Sequence, residues 1–286
     1  MAFVVEQLLN ALALAGLLFL VSAGLSLVFG VLRVVNFAHG VFYMLGAYLG
    51  FTAVKVSGQF WLSLIVVPPI VGVVGALLET WTLRFIYRRP PIYQLLLTFG
   101  LALILEESIR VLYGPTAMGV DPPGILQGPV ELLGAIYPRY RLFLVVLSVT
   151  VGVAVWLFLQ RTRAGLVIRA VAQNSEMADC LGADVARVRT LVFGAACALA
   201  GLGGVAAAPM TTAYLGMGIS VIVDAFVVVV IGGLGSIPGS MAGSLIVGAA
   251  QTWGAFYLPE TAMVIVYAVM GAILIFRPWG LFGEEE

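Results

Sequence analysis

Along the 286 residues, long apolar runs alternate with short stretches of charge, glycine or proline. A hydrocarbon core about 30 Å thick takes roughly 17 to 25 apolar residues per helical crossing. Nine runs meet or approach that length: 8–32, 37–54, 60–78, 92–105, 142–160, 190–208, 219–235, 240–253 and 261–276. The fourth and eighth are too short to cross alone, which predicts helices that break or re-enter at membrane depth. Such backbone survives in a membrane only where protein or a water-filled cavity covers its peptide groups. The pattern predicts an all-α, polytopic transmembrane helical bundle of eight or nine spans, forming a single domain over 1–286. The first run continues without a basic leader or a small-residue cleavage site, so a retained first span is expected.

Composition agrees with the pattern. Apolar residues make up 62% of the chain and charged residues 10%, and the mean hydropathy of +1.12 lies far outside the range of soluble domains. Fourteen basic and fourteen acidic residues cancel, so no nucleic-acid partner is expected. A single histidine argues against a His-rich metal site. Cys180 falls in a polar loop and Cys197 in an apolar run, so no structural disulfide is expected. The chain has no Gly-x-x-x-x-Gly-Lys-Ser/Thr stretch, and its one lysine is Lys55. It is therefore expected to hold no nucleotide cofactor and to carry no catalytic residues.

Basic residues near span ends are retained on the cytoplasmic side. Alternating sides through nine spans collects Arg33, Arg84, Arg88, Arg89, Arg161, Arg163, Arg169, Arg187, Arg189 and Arg277 on one face. Lys55, Arg110, Arg139 and Arg141 fall on the other. The first face is inside, which predicts an outside N-terminus and an inside Glu284-Glu285-Glu286 tail.

The polar segments between runs carry the candidate chemistry. On the inner side, loop 161–189 contains Glu176-Met177-Ala178 followed by Gly182. This resembles the Glu-Ala-Ala-x-x-x-Gly spacing of a loop that docks an ATPase subunit, with Met177 in place of the first alanine, and the alternative is an ordinary solvated linker between two spans. Small residues there would let a partner backbone approach, and Gly182 can end a short helix in the left-handed conformation. On the outer side, loop 106–141 is rich in turn residues and is expected to be either a surface for an external partner or a loosely ordered connector. Two glycine-rich breaks follow apolar runs: 29–40, containing Asn36, His39 and Gly40, and 231–240, containing Gly232, Gly233, Gly235 and Ser236. Exposed backbone N–H groups at half-helix starts attract carboxylates, which makes both breaks candidates for a solute pathway; close packing through small residues explains the glycines equally well. His39 is expected near the inner boundary. Asp224 lies inside an apolar run and is either a pathway residue or a cap at the outer end of its helix.

Four ordered segments resemble one family over nearly the whole chain. They are 24–40 (GLSLVFGVLRVVNFAHG), 169–174 (RAVAQN), 225–239 (AFVVVVIGGLGSIPG) and 277–283 (RPWGLFG), and they are similar to the permease subunits of bacterial branched-chain amino acid ABC transporters. The resemblance implies a multi-pass protein of the bacterial inner membrane that works by alternating access. It further implies a sister permease, two cytoplasmic ATPase subunits, and an external solute-binding protein delivering a small amino acid. The departures are Met177 and Val41, the latter following Ala-His-Gly where an acid is frequent. Relatives with similar motifs take up urea, short amides or other small carboxylates, and an ATP-independent facilitator is the alternative of another class.

Overall fold

The computed structural model describes residues 2–87, 89–132 and 134–283; Arg88 and the 284–286 tail of the charge argument lie outside the described residues. Eleven helices of more than one short turn follow in order. These are α1 (Ala2–Leu32), α2 (His39–Ser57), α3 (Phe60–Trp81), α4 (Pro91–Tyr113), α5 (Arg139–Arg161), α6 (Arg163–Gln173), α7 (Ser175–Cys180), α8 (Val185–Ala207), α9 (Met217–Gly232), α10 (Ile237–Tyr257) and α11 (Ala262–Phe276). Between α4 and α5 a small antiparallel hairpin pairs β1 (Pro129–Leu132) with β2 (Ala135–Pro138).

The nine apolar runs map one to one onto the nine long helices. Among the described residues, six are long and apolar enough to cross a membrane, and α9 with α10 forms a further pair bent by 115° across a short break. The bend falls at the glycine-rich break 231–240 marked in the sequence. Two lengths need correction. The fourth run becomes a continuous 23-residue helix, α4, which passes through Glu106, Glu107 and Arg110. The eighth becomes the unbroken 21-residue α10, so the break lies before it rather than within it. The outer loop shortens accordingly to 114–138.

Side-chain contacts fix the direction of each helix. Asn10 of α1 accepts hydrogen bonds from Tyr137 and from Arg141 at the start of α5. Tyr140 donates to the carbonyl of Ala206 at the end of α8, and Phe3 packs against Phe256 of α10. At the opposite end, Gly30 of α1 touches Gly235, and Arg84 after α3 bonds Thr190 in α8. All the described basic residues assigned to the inner face lie at this second end, and Lys55, Arg110, Arg139 and Arg141 lie at the first. Residues 2 and 283 are consequently at opposite ends of the bundle.

Helix α1 is the axis. It is apolar on all sides and packs against α5, α8, α9 and α10. In lipid there is no hydrophobic drive to bring helices together, so close van der Waals packing through small residues does it. Gly72 of α3 faces Gly194 of α8, Gly46 of α2 lies on the backbone of Gly201, and Gly40 at the start of α2 meets Gly218 of α9.

A Cβ at Gly46 would strike the Gly201 carbonyl, whereas one at Gly100 meets nothing within 4 Å. Gly46→Ala is expected to destabilise by on the order of 1–3 kcal/mol, and Gly100→Ala to leave the fold unchanged or stabilise it by up to about 1 kcal/mol. Thermal unfolding of the detergent-solubilised chain checks this, and equal melting temperatures would contradict the α2–α8 crossing. The charge assignment is tested with the native thiols, since Cys180 is exposed and Cys197 buried. In the chain expressed without partners, Cys180 should react with a membrane-impermeant maleimide only when the inner face is opened. Gln127→Cys in a Cys180→Ser background should react in intact cells.

Candidate functional site

The inner loop folds into two short helices, and side chains cap the starts of both and of α8. Thr162 accepts from the Gly165 N–H (3.0 Å), Asn174 from the Met177 N–H (2.9 Å) and Asp184 from the Arg187 N–H (3.0 Å). Each side-chain oxygen satisfies one of the N–H groups that a helix start leaves unpaired. At the end of α7, Gly182 adopts φ +88°. Its N–H donates to Asp179 O (2.9 Å), and the Ala183 N–H donates to Ala178 O (3.0 Å). This pair of bonds with a left-handed glycine is the Schellman ending, as expected for Gly182. The result is a six-residue helix held rigidly between α6 and α8. It displays Glu176, Met177 (58% exposed) and Leu181 (81% exposed), and Gly182 has open space where a Cβ would be. Ala178 needs correction: it is buried at 3% exposure, so it is small because α7 packs on its own chain there.

The first break places His39 deeper than the charge count implied. Its Nε2 lies 3.0 Å from the carbonyl of Val21. Val21 stands eleven residues before the end of α1, or about 16 Å along the helix axis. After α1 the chain therefore turns back into the bundle before α2 begins. Arg33 makes that turn with φ +53°, the one non-glycine residue in the left-handed region among the described residues, a conformation that costs of order 1 kcal/mol or more. Asn36 Oδ1 accepts from the Ala38 N–H (3.1 Å), and Thr98 of α4 accepts from the Phe37 N–H (3.3 Å). A carbonyl only accepts, so His39 Nε2 carries the proton and Nδ1 is a lone-pair acceptor. His39 Nδ1 and Asn36 Nδ2 are buried and have no hydrogen-bond partner among the described residues. The two groups are chemically opposite, one acceptor and one donor.

The second break is built almost entirely of backbone. The N–H groups of Leu281 and Phe282 donate to Ile231 O and Gly232 O, both at 2.9 Å. The C-terminal Arg-Pro-Trp-Gly-Leu-Phe-Gly segment thus caps the carbonyl end of α9. Ser236 caps α10 by accepting from the Gly239 N–H (3.0 Å). A Cβ at Gly232 would strike Gly239, one at Gly233 would strike Gly283, and Gly235 abuts Gly30. Backbone contact accounts for glycine at these positions. Asp224 is not a helix cap: Gly216 holds that position. Asp224 instead sits midway along α9 and accepts from Gln251 Nε2 of α10 at 3.1 Å.

One polar group escaped the sequence reading. Glu79, at the end of α3, is fully buried. Its carboxylate accepts from the Tyr87 hydroxyl (2.7 Å) and the Thr190 hydroxyl (2.6 Å), with the Arg84 guanidinium 3.7 Å away. Burial, and then the hydrogen bond to Glu79, hold the Tyr87 phenol above its usual range. A single acid at the end of an apolar run, followed by several arginines, was the available signal.

The profile of the branched-chain amino acid transport system permease component family matches residues 7–276. The high-affinity branched-chain amino acid transport system permease protein BraD of Pseudomonas aeruginosa is 26% identical over 298 residues, covering 98% of this chain and 96% of that protein. LivH of Escherichia coli, a permease protein of the same named system, is 26% identical over 302 residues, with 99% and 97% covered. A probable branched-chain amino acid transport permease protein, LivH of Methanocaldococcus jannaschii, is 27% identical over 297 residues, with 96% and 91% covered. No solved structure matches significantly. With its profile match spanning nearly the whole chain and the helical bundle described above, the protein belongs to the permease component family of branched-chain amino acid transport systems.

Proposed function

We propose that this chain is the permease subunit of an ABC importer in a bacterial inner membrane, carrying branched-chain or other small amino acids. It pairs with a sister permease, binds two ATPase subunits at its inner face and receives solute from an external binding protein at its outer face. The observation that carries the reading is α7: a rigid, doubly capped helix at the basic end, displaying Met177 and Leu181 to water. Two exposed apolar side chains four residues apart, Met177 on α7 and Leu181 just past its end, are a natural insertion point for a groove on a partner. The ATPases, not this chain, hydrolyse ATP. Their closure moves α7 together with α6 and α8, and the spans rock about a pathway that passes Asn36, His39, Gly40 and Asp224. The break at Gly232, Gly233, Gly235 and Ser236 forms its inner margin. The unpartnered donor of Asn36 and acceptor of His39 suit a solute bearing both a carboxylate and an ammonium group.

Uptake into proteoliposomes holding the complete complex tests this. Accumulation of a branched-chain amino acid should require ATP and the binding protein. Uptake at the same rate without ATP would make the chain a facilitator, and preference for urea or a short amide would change the substrate.

Docking is tested separately. Gly182→Arg forces a side chain onto a left-handed residue at a cost of about 1–2 kcal/mol and fills the open approach to α7. It should abolish co-purification of the ATPases while the permease itself is recovered in normal amount. Ala178→Leu, by contrast, should lower the yield of the permease, because that position faces its own chain. ATPase recovery undiminished by Gly182→Arg would remove α7 from the docking surface.

A further inference from the structure

The buried Glu79 cluster lies where three parts of the chain that must move together come into contact. Thr190 belongs to the first two turns of α8, directly after the docking helix. Tyr87 belongs to the connector between α3 and α4, and Glu79 ends α3. Arg84 also donates to the Thr190 hydroxyl, at 2.8 Å, and the Arg189 guanidinium lies over the Tyr87 ring at 5.1 Å. From the other side, Gln94 in the first turn of α4 donates to the carbonyls of the same connector, the nearest being Arg89 at 3.3 Å. One turn further along α4, Thr98 meets the first break through Phe37 and Val35. A packed, hydrogen-bonded route therefore runs from α8 through Glu79 and the connector to α4 and the 33–38 break.

A carboxylate taken out of water is tolerated only when its charge and lone pairs are matched, and removing one partner is costly. Such a cluster favours two alternatives, fully made or fully broken, over a continuum of loosened states. That property is what a mechanical link between two sites requires.

We propose that Glu79 is a positioning residue of the transport cycle, clamping the start of α8 to the α3–α4 connector so that docking-helix motion reaches the 33–38 break. The proposal rests on α7 being the ATPase-docking element. Glu79 touches no solute; it acts through Thr190, Tyr87 and α4.

The test uses the full complex of permeases, ATPases and binding protein in proteoliposomes, with Glu79→Gln, Tyr87→Phe and Thr190→Val introduced singly. Uptake and ATP hydrolysis are measured on the same vesicles. The clamp predicts assembled complexes that hydrolyse ATP near the wild-type rate while solute accumulated per ATP falls at least about fivefold, the lower edge of typical coupling energies. A merely structural cluster predicts that assembly, hydrolysis and uptake fall in parallel, and that result in all three variants would overturn the proposal. Unchanged solute per ATP would overturn it too. If the wild-type complex itself accumulates solute without ATP, the docking reading has failed and the clamp falls with it. If wild-type coupling holds and the variants keep it, the clamp alone has failed.

Discussion

An unpaired peptide group in hydrocarbon costs several kcal/mol, and both interruptions of regular helix in this bundle are shaped by that penalty. At the second break the groups freed by the bend are closed by other backbone and one side chain: the Leu281 and Phe282 N–H groups cap α9, and the Ser236 hydroxyl caps α10. Such closure needs peptide planes to touch. That is why Gly232, Gly233, Gly235 and Gly239 crowd together there, and why a segment more than forty residues later in the sequence returns to the same place. The same demand for approach sets the crossings of α2 with α8 and α9 through Gly46 and Gly40.

The inner loop obeys a different solvent. Water can satisfy its peptide groups, so nothing compels it to be rigid, yet three side-chain caps and a Schellman ending hold it. Each cap is worth about 1 kcal/mol, which is enough to keep α6, α7 and the start of α8 from fraying independently. Force applied to a floppy loop would be lost in loop motion. The caps and the Schellman ending tie α7 to α8, one of the two helices around which the bundle is packed.

Much of this was legible in the chain. Apolar run length marked all nine long helices, charge alternation separated Lys55, Arg110, Arg139 and Arg141 from the other basic residues, and Gly182 was assigned its left-handed stop. The departures have specific causes. Counting apolar residues ends α4 at Glu106, but a helix continues through charged residues once they reach the interface. Alternation between faces treats every connector as lying at a boundary, so it could not foresee that 33–38 turns back and carries His39 to the level of Val21. Ala178 matched a docking pattern by size, and size alone does not say which way a side chain points. Glu79 was passed over because its partners are 8 and 111 residues away, and no local spacing brings Thr190 to it.

The two breaks differ in a way that bears on which of them works. The second spends its polar groups on itself: its caps are made by backbone and by Ser236, and Asp224 on the adjoining helix is bonded to Gln251. The first holds a strained Arg33 and leaves a buried amide donor on Asn36 and a buried imidazole acceptor on His39 without partners. Unsatisfied buried groups and backbone strain are destabilising, and they persist only where the surrounding packing imposes them. The second break is closed by the C-terminal segment. The first keeps its two unsatisfied groups, and it is the one that Thr98 ties, through α4, back to the inner face.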